Sequence, residues 1–589
     1  MATAAVLFHL TGATSRGNLF FAREWLKDQR KSGQGDSRRG ALMPEPTFIG
    51  QYLLDQLYRH GIRHMFGVPG DYVLGFYHLI ENSPIQNVTT TREDAAGFAA
   101  DAYARIRGLG AACVTWCVGG FNIINPVAGA YAEKSPVIII SGAPGLKERE
   151  RNPLLHHRVR DFSTQLEVFS RITVASTSLE DPVTAYDEID RVIHAVERYK
   201  RPGYIELPRD MMDVAHPHEH RDRDIAELTD FAVLRECIAE ATMMLNRSQR
   251  PVILAGVEIH RFGLQNRLVE LVERTRIPVA ATILGKSVIS EDHPLYLGVY
   301  EGAMGRAEVR EYVESADCVL MLGCFMTDIN LGVYTANLDA SRTIYATSEK
   351  TSIRRHSFDN VPFRSFFRAL LQAPLKQSPP PDMPRIEVLS GPEPRDADRI
   401  TIGNLFSIIN DFIASDMVVI TDVGDCLFGA IDLKIHKQTE FLSPAYYASM
   451  GFGVPASVGA QMANRSIRPL VLVGDGAFQM TGLELSTTVR LGLNPVVVVL
   501  NNHGYSTERQ IMDGPFNDIH NWSFSRVPEL LGRGQAFVVK TGGDMRRALN
   551  ASLAHRDVFS LIEVDLDPSD ISPALRRLGE RLGSRIKTS

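Results

Sequence analysis

Cysteine is scarce in this chain of 589 residues: there are six, Cys113, Cys117, Cys237, Cys318, Cys324 and Cys426. That is too few for a disulfide scaffold, and no CxxC pairs with another to build a zinc site. What remains is a set of buried, reduced thiols in a cytoplasmic protein. An excess of one charge is also missing. Lys plus Arg number 63 against 69 Asp plus Glu, a formal net charge of −6. That is too small for a partner such as nucleic acid or a membrane surface to be held by bulk electrostatics. No apolar run approaches the ~18 residues of a membrane span. There is no low-complexity repeat, and no GxGxxG stands at a strand–helix turn, which removes a nicotinamide-binding reading. The remainder is ordinary: 44% hydrophobic and 22% charged, a globular balance that excludes disordered, collagenous and coiled-coil classes. At three to four times the ~150-residue prior for one domain, the length predicts two to four domains.

Residues 1–43 differ from the rest. Ala4 to Leu10 is weakly apolar, but no basic segment precedes it and no clean small-residue cleavage site follows, so a secretory signal is not supported. Arg23 to Arg39 mixes charges with Gly, Ser and Gln, which favours disorder, and Glu24, Asp28 and Asp36 count against a transit peptide. The segment reads as a disordered extension with Met43 as the functional start. Beyond it, helical and strand signals alternate in the βαβ manner. The first α/β unit, 44–215, has a helix over Phe48 to His60 and strands at His64–Val68, Ala111–Val118, Val137–Ser141 and Tyr204–Leu207. An Ala-rich helix over Arg92 to Arg107 stops at Gly108. The stretch from His216 to Asp224, with His216, His218 and His220 at alternate positions, reads as a solvated linker rather than a metal site. A second unit, 225–375, has strands at Pro251–Ala255, Pro278–Ala281 and Cys318–Leu322. The proline-rich stretch 376–398 reads as a connector. A third unit, 399–570, has strands near Val418–Thr421, Leu470–Val473 and Val496–Leu500, and a basic tail, 571–589, closes the chain, reading from Leu575 as a frayed or docking helix. Short apolar strands between helices imply largely parallel sheets covered on both faces. The fold class is α/β, in three consecutive domains.

The most informative stretch starts at Leu470: strand, Gly474-Asp475-Gly476 turn, helix, strand, then Asn501-Asn502. Such a turn places Asp475 at the carboxyl end of a buried parallel strand, where open α/β sheets bind ligands. The following helix offers backbone N–H groups from about Ala477 and Phe478, suited to a diphosphate. Asp475, Asn502 and the Gly504 carbonyl could fill part of an octahedral Mg²⁺ shell.

The Asp of GDG, followed 27 residues later by the second Asn of NN, resembles the cofactor motif of thiamine-diphosphate-dependent enzymes. The domain order of that superfamily's decarboxylase-like branch (pyrimidine-binding, middle, diphosphate-binding) matches nearly all of residues 47–570. The resemblance implies thiamine diphosphate held through Gly474, Asp475, Gly476, Ala477, Phe478, Asn502 and Gly504, and Mg²⁺ on Asp475, Asn502 and the Gly504 carbonyl. It implies that Met450, in YYASMGFG, wedges the cofactor into its bent shape, and that Asp425 lies near it. Glu93, in Thr91-Arg92-Glu93-Asp94, takes the place of the carboxylate that bonds the pyrimidine nitrogen and favours the imino tautomer that makes the ylide.

Asp71, in Gly67-Val68-Pro69-Gly70-Asp71, the pair His156-His157, and Glu508 together resemble the acid/base set of the pyruvate and indolepyruvate decarboxylases. The implied reaction is non-oxidative decarboxylation of a 2-oxo acid to an aldehyde and CO₂ through an enamine. Glu508 would act around decarboxylation and Asp71 with His157 around enamine protonation, with His156 in the same relay. Asp425-Cys426-Leu427-Phe428, the GDGAFQMTG stretch and Ala130–Pro136 look like bacterial phenylpyruvate/indole-3-pyruvate decarboxylases, which favours arylpyruvates. Asn501–Tyr505 and Leu284–Ser287 look more like pyruvate decarboxylases. Asp425 departs from a usual Thr, and Thr507 from a bulky aliphatic residue. Pyruvate or a branched-chain 2-oxo acid is the alternative substrate. The alternative activity is acetolactate-synthase-like carboligation, against which Asp71 and the His pair argue because they supply the terminating proton. The family's shared site implies a homodimer or homotetramer, with no nucleic-acid or membrane partner. A chain beginning at Met43 is expected to release aldehyde at the full-length rate in a coupled assay; loss of activity would make residues 1–42 part of the working enzyme.

Overall fold

Runs such as Val137–Ala143, Cys318–Leu322 and Val496–Asn501 are apolar at nearly every position and lie buried along their lengths, the pattern of strands covered on both faces by helices. The computed structural model describes residues 47–218, 220, 229–379, 382–384, 394–436 and 440–588, without the side chains of 581–588. The extension 1–43, about half of the linker 376–398 and part of the His216–Asp224 stretch lie outside the described residues.

The first sheet holds β1 (His64–Gly67), β2 (Gln86–Thr89), β3 (Gly110–Val114), β4 (Val137–Ala143), β5 (Ala175–Ser178) and β6 (Gly203–Pro208) in the order β2-β1-β3-β4-β6-β5. All its pairings are parallel. The second holds β7 (Pro251–Ala255), β8 (Val279–Ala281), β9 (Tyr296–Val299), β10 (Cys318–Leu322), β11 (Thr343–Ala346), β12 (Thr351–Ile353) and β13 (His356–Phe358). Its order is β13-β12-β11-β10-β7-β8-β9, parallel except for the antiparallel edge β11-β12-β13. The third holds β14 (Met417–Thr421), β15 (Glu440–Leu442), β16 (Arg468–Gly474), β17 (Val496–Asn501), β18 (Gln535–Val539) and β19 (Ser560–Asp565), wholly parallel in the order β15-β14-β16-β17-β19-β18. The α/β class with three largely parallel sheets is as expected from the sequence.

In each sheet the strand order reverses in the interior, between β1 and β3, between β10 and β7, and between β14 and β16, with a second reversal at β6 in the first sheet and at β19 in the third. Ligands of open parallel sheets bind at the carboxyl ends of such positions. Asp71 follows β1, while Asp422 and Asp475 follow β14 and β16 directly.

Several expectations need correction. The strand expected over Ala111 to Val118 ends at Val114, because Cys117 takes a positive φ of 54° and the chain turns into a short helix, Val118–Asn122. No separate turn divides β16 from its helix: Asp475 is itself the first residue of the helix Asp475–Thr481. His216 and His220 are not simply solvated. His216 stacks on Tyr186 with ring centroids 4.3 Å apart, and His220 Nε2 stands 2.8 Å from the Asp190 carboxylate. The basic tail, by contrast, is the docking helix its sequence suggests, Pro573–Thr588, with Leu575 and Leu578 buried against the third sheet's core.

The first and third sheets are joined by packing of the helix Glu93–Arg107 on the helix Gly453–Ala463. Gly459 permits this: a Cβ there would lie 1.9 Å from the Ala99 carbonyl oxygen. Beside the contact, the Arg105 guanidinium donates to Asp101 and Glu133 and to the Ser443 carbonyl, each at 2.8 Å. Glu133 in turn accepts from the Tyr446 and Tyr447 N–H groups. All three charged side chains are nearly inaccessible. Replacing Arg105 by Ala would leave two carboxylates buried without their counter-charge. The expected loss is about 3–5 kcal/mol of stability, read as a lower urea midpoint of the cofactor-free chain.

Candidate active site

The β1 strand ends at Gly67, and four residues on Asp71 meets His156 across the crevice, with Oδ2 2.6 Å from Nε2. The His156 ring stacks on Tyr72 at 4.7 Å, its Nδ1 lying 3.3 Å from the phenol oxygen. His157 takes a positive φ of 66°, which turns its ring edge-on to His156 at 4.7 Å. One ligating atom from each of Asp71, His156 and His157 falls within 4.8 Å of the others. His157 Nδ1 is buried with no partner, while Asp71 and His156 are exposed. A carboxylate bonded to one imidazole that touches a second can hold and pass protons.

Glu93 opens its helix, where the macrodipole favours an acid. Its Oε2 accepts from Asn122 Nδ2 at 2.6 Å. The turn bearing Asn122 is fixed from behind: Cys117 N–H donates to Gln165 Oε1 at 2.6 Å, and Gln165 Nε2 reaches Ser141 and Tyr204. Tyr204 also donates to Glu206 Oε2 at 2.7 Å. Thr91, two residues before Glu93, bonds the buried Glu484 carboxylate beside the third sheet.

At the third sheet's reversal between β14 and β16, burial dominates. Asp475 is 2% exposed; its Oδ1 accepts from Gly476 N–H at 2.7 Å and its Oδ2 from Gly504 N–H at 3.0 Å. Desolvation pushes its pKa up to about 6 despite these donors. The β16–β17 register pairs Gly474 with Leu500, so Asp475 and Asn501 follow side by side, with the buried Asn502 next in line. Gly504 has φ 149°, and a Cβ there would stand 2.1 Å from the Asn517 carbonyl oxygen, so only glycine closes this loop. Asp425 starts the helix Asp425–Ala430; its Oδ2 accepts from Ser572 N–H at 2.8 Å, and its Oδ1 is buried without a partner. Burial pushes Asp425, too, up to about 6.

Met450 is half-buried against the cluster of Phe452, Phe478 and Phe524. Asp422, which the sequence reading passed over, holds its turn. Its carboxylate accepts from Val423, Gly451 and Gly453 N–H groups at 2.8–3.1 Å. A carboxylate directly after a five-residue apolar strand was the available signal; Gln165 and Asn122 carried none. Glu508 lies exposed on the short helix Ser506–Ile511, against which the C-terminal helix packs. The structure therefore gathers Asp71 with the two histidines and Asp475 with Asn502, Gly504, Asp425 and Met450; among the described residues no side-chain hydrogen bond ties Glu93, which is bonded to Asn122, or Glu508 to either group. No hydrogen bond or ion pair among the described residues joins the two groups.

The second group fits a metal-bound diphosphate. Asp475 is a desolvated carboxylate with lone pairs to spare, and a side chain at Gly474 would meet no atom within 4 Å. Thr507 Oγ1 and Asp425 Oδ1 are unpaired nearby.

Three family models match the chain: the N-terminal TPP binding domain of thiamine pyrophosphate enzymes over residues 48–164, the central domain over 238–373, and the C-terminal TPP binding domain over 422–564. The indole-3-pyruvate decarboxylase of Azospirillum brasilense is 37% identical over 90% of this chain and 97% of its own. The alpha-keto-acid decarboxylase of Mycolicibacterium paratuberculosis is 35% identical over 91% of this chain and 96% of its own, and that of Mycobacterium leprae 32% over 90% and 95%. The chain belongs to the thiamine-diphosphate-dependent 2-oxo acid decarboxylase family. Its cofactor is thiamine diphosphate.

Glu206 offers a test of the support behind Glu93. Burial pushes its pKa from 4.5 up to about 7. Between those values the folded chain keeps a proton that the unfolded chain has lost, so Glu206 costs stability as pH rises through the window. Relative to Glu206→Gln, the wild type should lose up to about 3 kcal/mol between pH 4.5 and 7.5, measured as the difference between the two urea-unfolding free energies.

Proposed function

We propose that this chain removes CO₂ from an arylpyruvate, phenylpyruvate or indole-3-pyruvate, and releases the aldehyde. The observation that carries a proton-terminated decarboxylation is the Asp71–His156 bond with His157 against it. Carboligation needs no such relay, since a second 2-oxo acid takes the place of the proton. The arylpyruvate preference rests on the name of the Azospirillum relative and on Thr507, a small residue whose Oγ1 lies 3.5 Å from where a Gly424 side chain would project.

Bound thiamine diphosphate supplies the nucleophilic carbon and a cationic ring that takes up the electrons left as CO₂ departs. The protein's part is positioning and proton control. The Glu93 carboxylate would hold the pyrimidine nitrogen. Asp475, Asn502 and the Gly504 carbonyl would hold Mg²⁺, which neutralises the diphosphate, and backbone groups at Gly474, Gly476, Ala477 and Phe478 would line its bed. Met450 would set the cofactor's bend and Asp425 would lie beside it. Glu508 would act on the substrate carboxylate, and Asp71, His156 and His157 would deliver the proton that precedes aldehyde release.

The same reading takes 44–215 as the pyrimidine-binding domain, 225–375 as the middle domain and 399–570 as the diphosphate-binding domain. Asp71, His156 and Glu508 are exposed in a single chain, which supports a homodimer or homotetramer in which a second copy covers them. The free, buried cysteines favour the cytoplasm. Among the described residues, no helix is long and apolar enough to cross a membrane.

Glu508→Gln should leave cofactor binding intact and lower turnover at least roughly tenfold; unchanged turnover removes Glu508 from the mechanism. Aldehyde release should be faster with phenylpyruvate or indolepyruvate than with pyruvate or branched-chain 2-oxo acids. Pyruvate outrunning both arylpyruvates overturns the substrate assignment, and an accumulating acyloin overturns the reaction.

A further inference from the structure

Away from that site, a cleft of roughly 490 Å³ opens where the second sheet meets the helices of the third, within the size range of small-molecule pockets. Most of its charged groups are already used. Lys286 Nζ gives its protons to Glu291 at 2.7 and 2.9 Å and to the Leu433 carbonyl at 2.7 Å. Asp432 is paired with Arg306 at 2.8 Å. Two groups are left over. Glu301 is 2% exposed, and its Oε1 has no hydrogen-bond partner. Arg577, on the C-terminal helix, donates only through Nε, to the Met304 carbonyl at 2.6 Å. Burial pushes the Glu301 carboxyl up to about 8, and the Arg577 charge across the cleft only partly offsets this; among the described residues the two form no ion pair.

A buried acid oxygen without a partner is costly unless something completes it, and the half-buried guanidinium fork on the same cavity wall is open to a ligand. A simple anion would satisfy Arg577 and worsen Glu301; a simple cation would do the reverse. A molecule bearing both charges on one carbon satisfies both, and Leu297, Val299 and Ile431 on the same lining offer an apolar wall for its side chain. We propose that this cleft binds a free α-amino acid with an apolar side chain, its carboxylate on Arg577 and its ammonium on Glu301. A bidentate carboxylate on the guanidinium is the stronger and more directional of the two contacts.

The test is calorimetric titration of the full-length holoenzyme with L-phenylalanine and L-leucine, beside phenethylamine and 3-phenylpropanoate, which carry one charge each. At least one amino acid should bind saturably, and both Arg577→Met and Glu301→Gln should weaken it at least roughly tenfold without changing KM for the 2-oxo acid. Each single-charge analogue should bind at the cleft at least about tenfold more weakly, scored for 3-phenylpropanoate as the part of its binding that Arg577→Met removes and for phenethylamine as the part that Glu301→Gln removes. The half-buried Arg577 lies at the rim, so Arg577→Met gives a reading even if Glu301→Gln fails to fold. Absence of saturable binding of either amino acid up to about 10 mM, binding untouched by Arg577→Met, or an analogue matching the amino acid at the cleft would each overturn the assignment.

Discussion

The helices Glu93–Arg107 and Gly453–Ala463 come from distant parts of the chain and approach until their backbones nearly touch at Ala99 and Gly459. Only small residues allow that distance, and both helices supply them: Ala95, Ala96, Ala99, Ala100 and Ala102 on one, Ala456, Gly459, Ala460 and Ala463 on the other. Two positions proposed to hold the cofactor depend on this contact. Glu93 opens the first helix, and Met450 lies three residues before the second. The hydrophobic clusters on either side draw members from both sheets, with Phe98 and Ala102 packed among the third sheet's residues and Val458 and Met462 among the first's. Arg105 and Glu133 add direction to a contact that burial alone would leave free to slide.

The reversals at β1/β3, β10/β7 and β14/β16 differ in what they hold: the proposed site occupies the first and last, and an internal ion pair the middle one. At the middle sheet, Glu258 follows β7 and is wholly buried, and the gap is closed by Lys134 from the first sheet at 2.6 Å, with Ser348 completing the shell. That crevice has its counter-charge built in. At the third sheet no side-chain cation approaches Asp475 or Asp425 within ion-pair distance among the described residues. Their desolvation is offset only in part by backbone N–H groups, which is why their carboxyls sit near 6. A sheet that keeps acids buried without a cation is prepared for one from outside, whereas a sheet that has recruited a lysine is not.

The legible part of this molecule was whatever depends on local chemistry. Apolar runs such as Cys318–Leu322 form strands with the expected bounds, and Gly108 stops its helix in the left-handed conformation at φ 96°. Asp475, Asn502 and Gly504 were readable because motif spacing along one strand–helix–strand unit fixes their proximity. Short edge strands such as His356–Phe358 were not readable, since exposed polar residues form a strand there only because β12 offers a partner. His216 and His220 defeated a reading from their immediate neighbours, because the aromatic surface that takes them, Tyr186 and Tyr52, lies in other segments. Asn122 and Gln165 are ordinary amides whose roles arise from tertiary contacts alone.

The exposure of the proton-handling residues follows from the same arrangement. The carboxylates expected to grip the cofactor need a dry setting, because a cation is held most strongly where water cannot screen it. In the proposed relay, Asp71 and His156 have the opposite requirement before substrate arrives, since they would regain protons from solvent between turnovers. They accordingly stand at the mouth of the first sheet's crevice, joined to each other but open to water, while His157 turns its unpartnered Nδ1 inward. A relay with one wet end and one dry end conducts protons in a defined direction once its outer surface is covered. In the proposed assembly, substrate, cofactor and a second copy of the chain would cover it, so closing the site and setting the proton path would amount to one event.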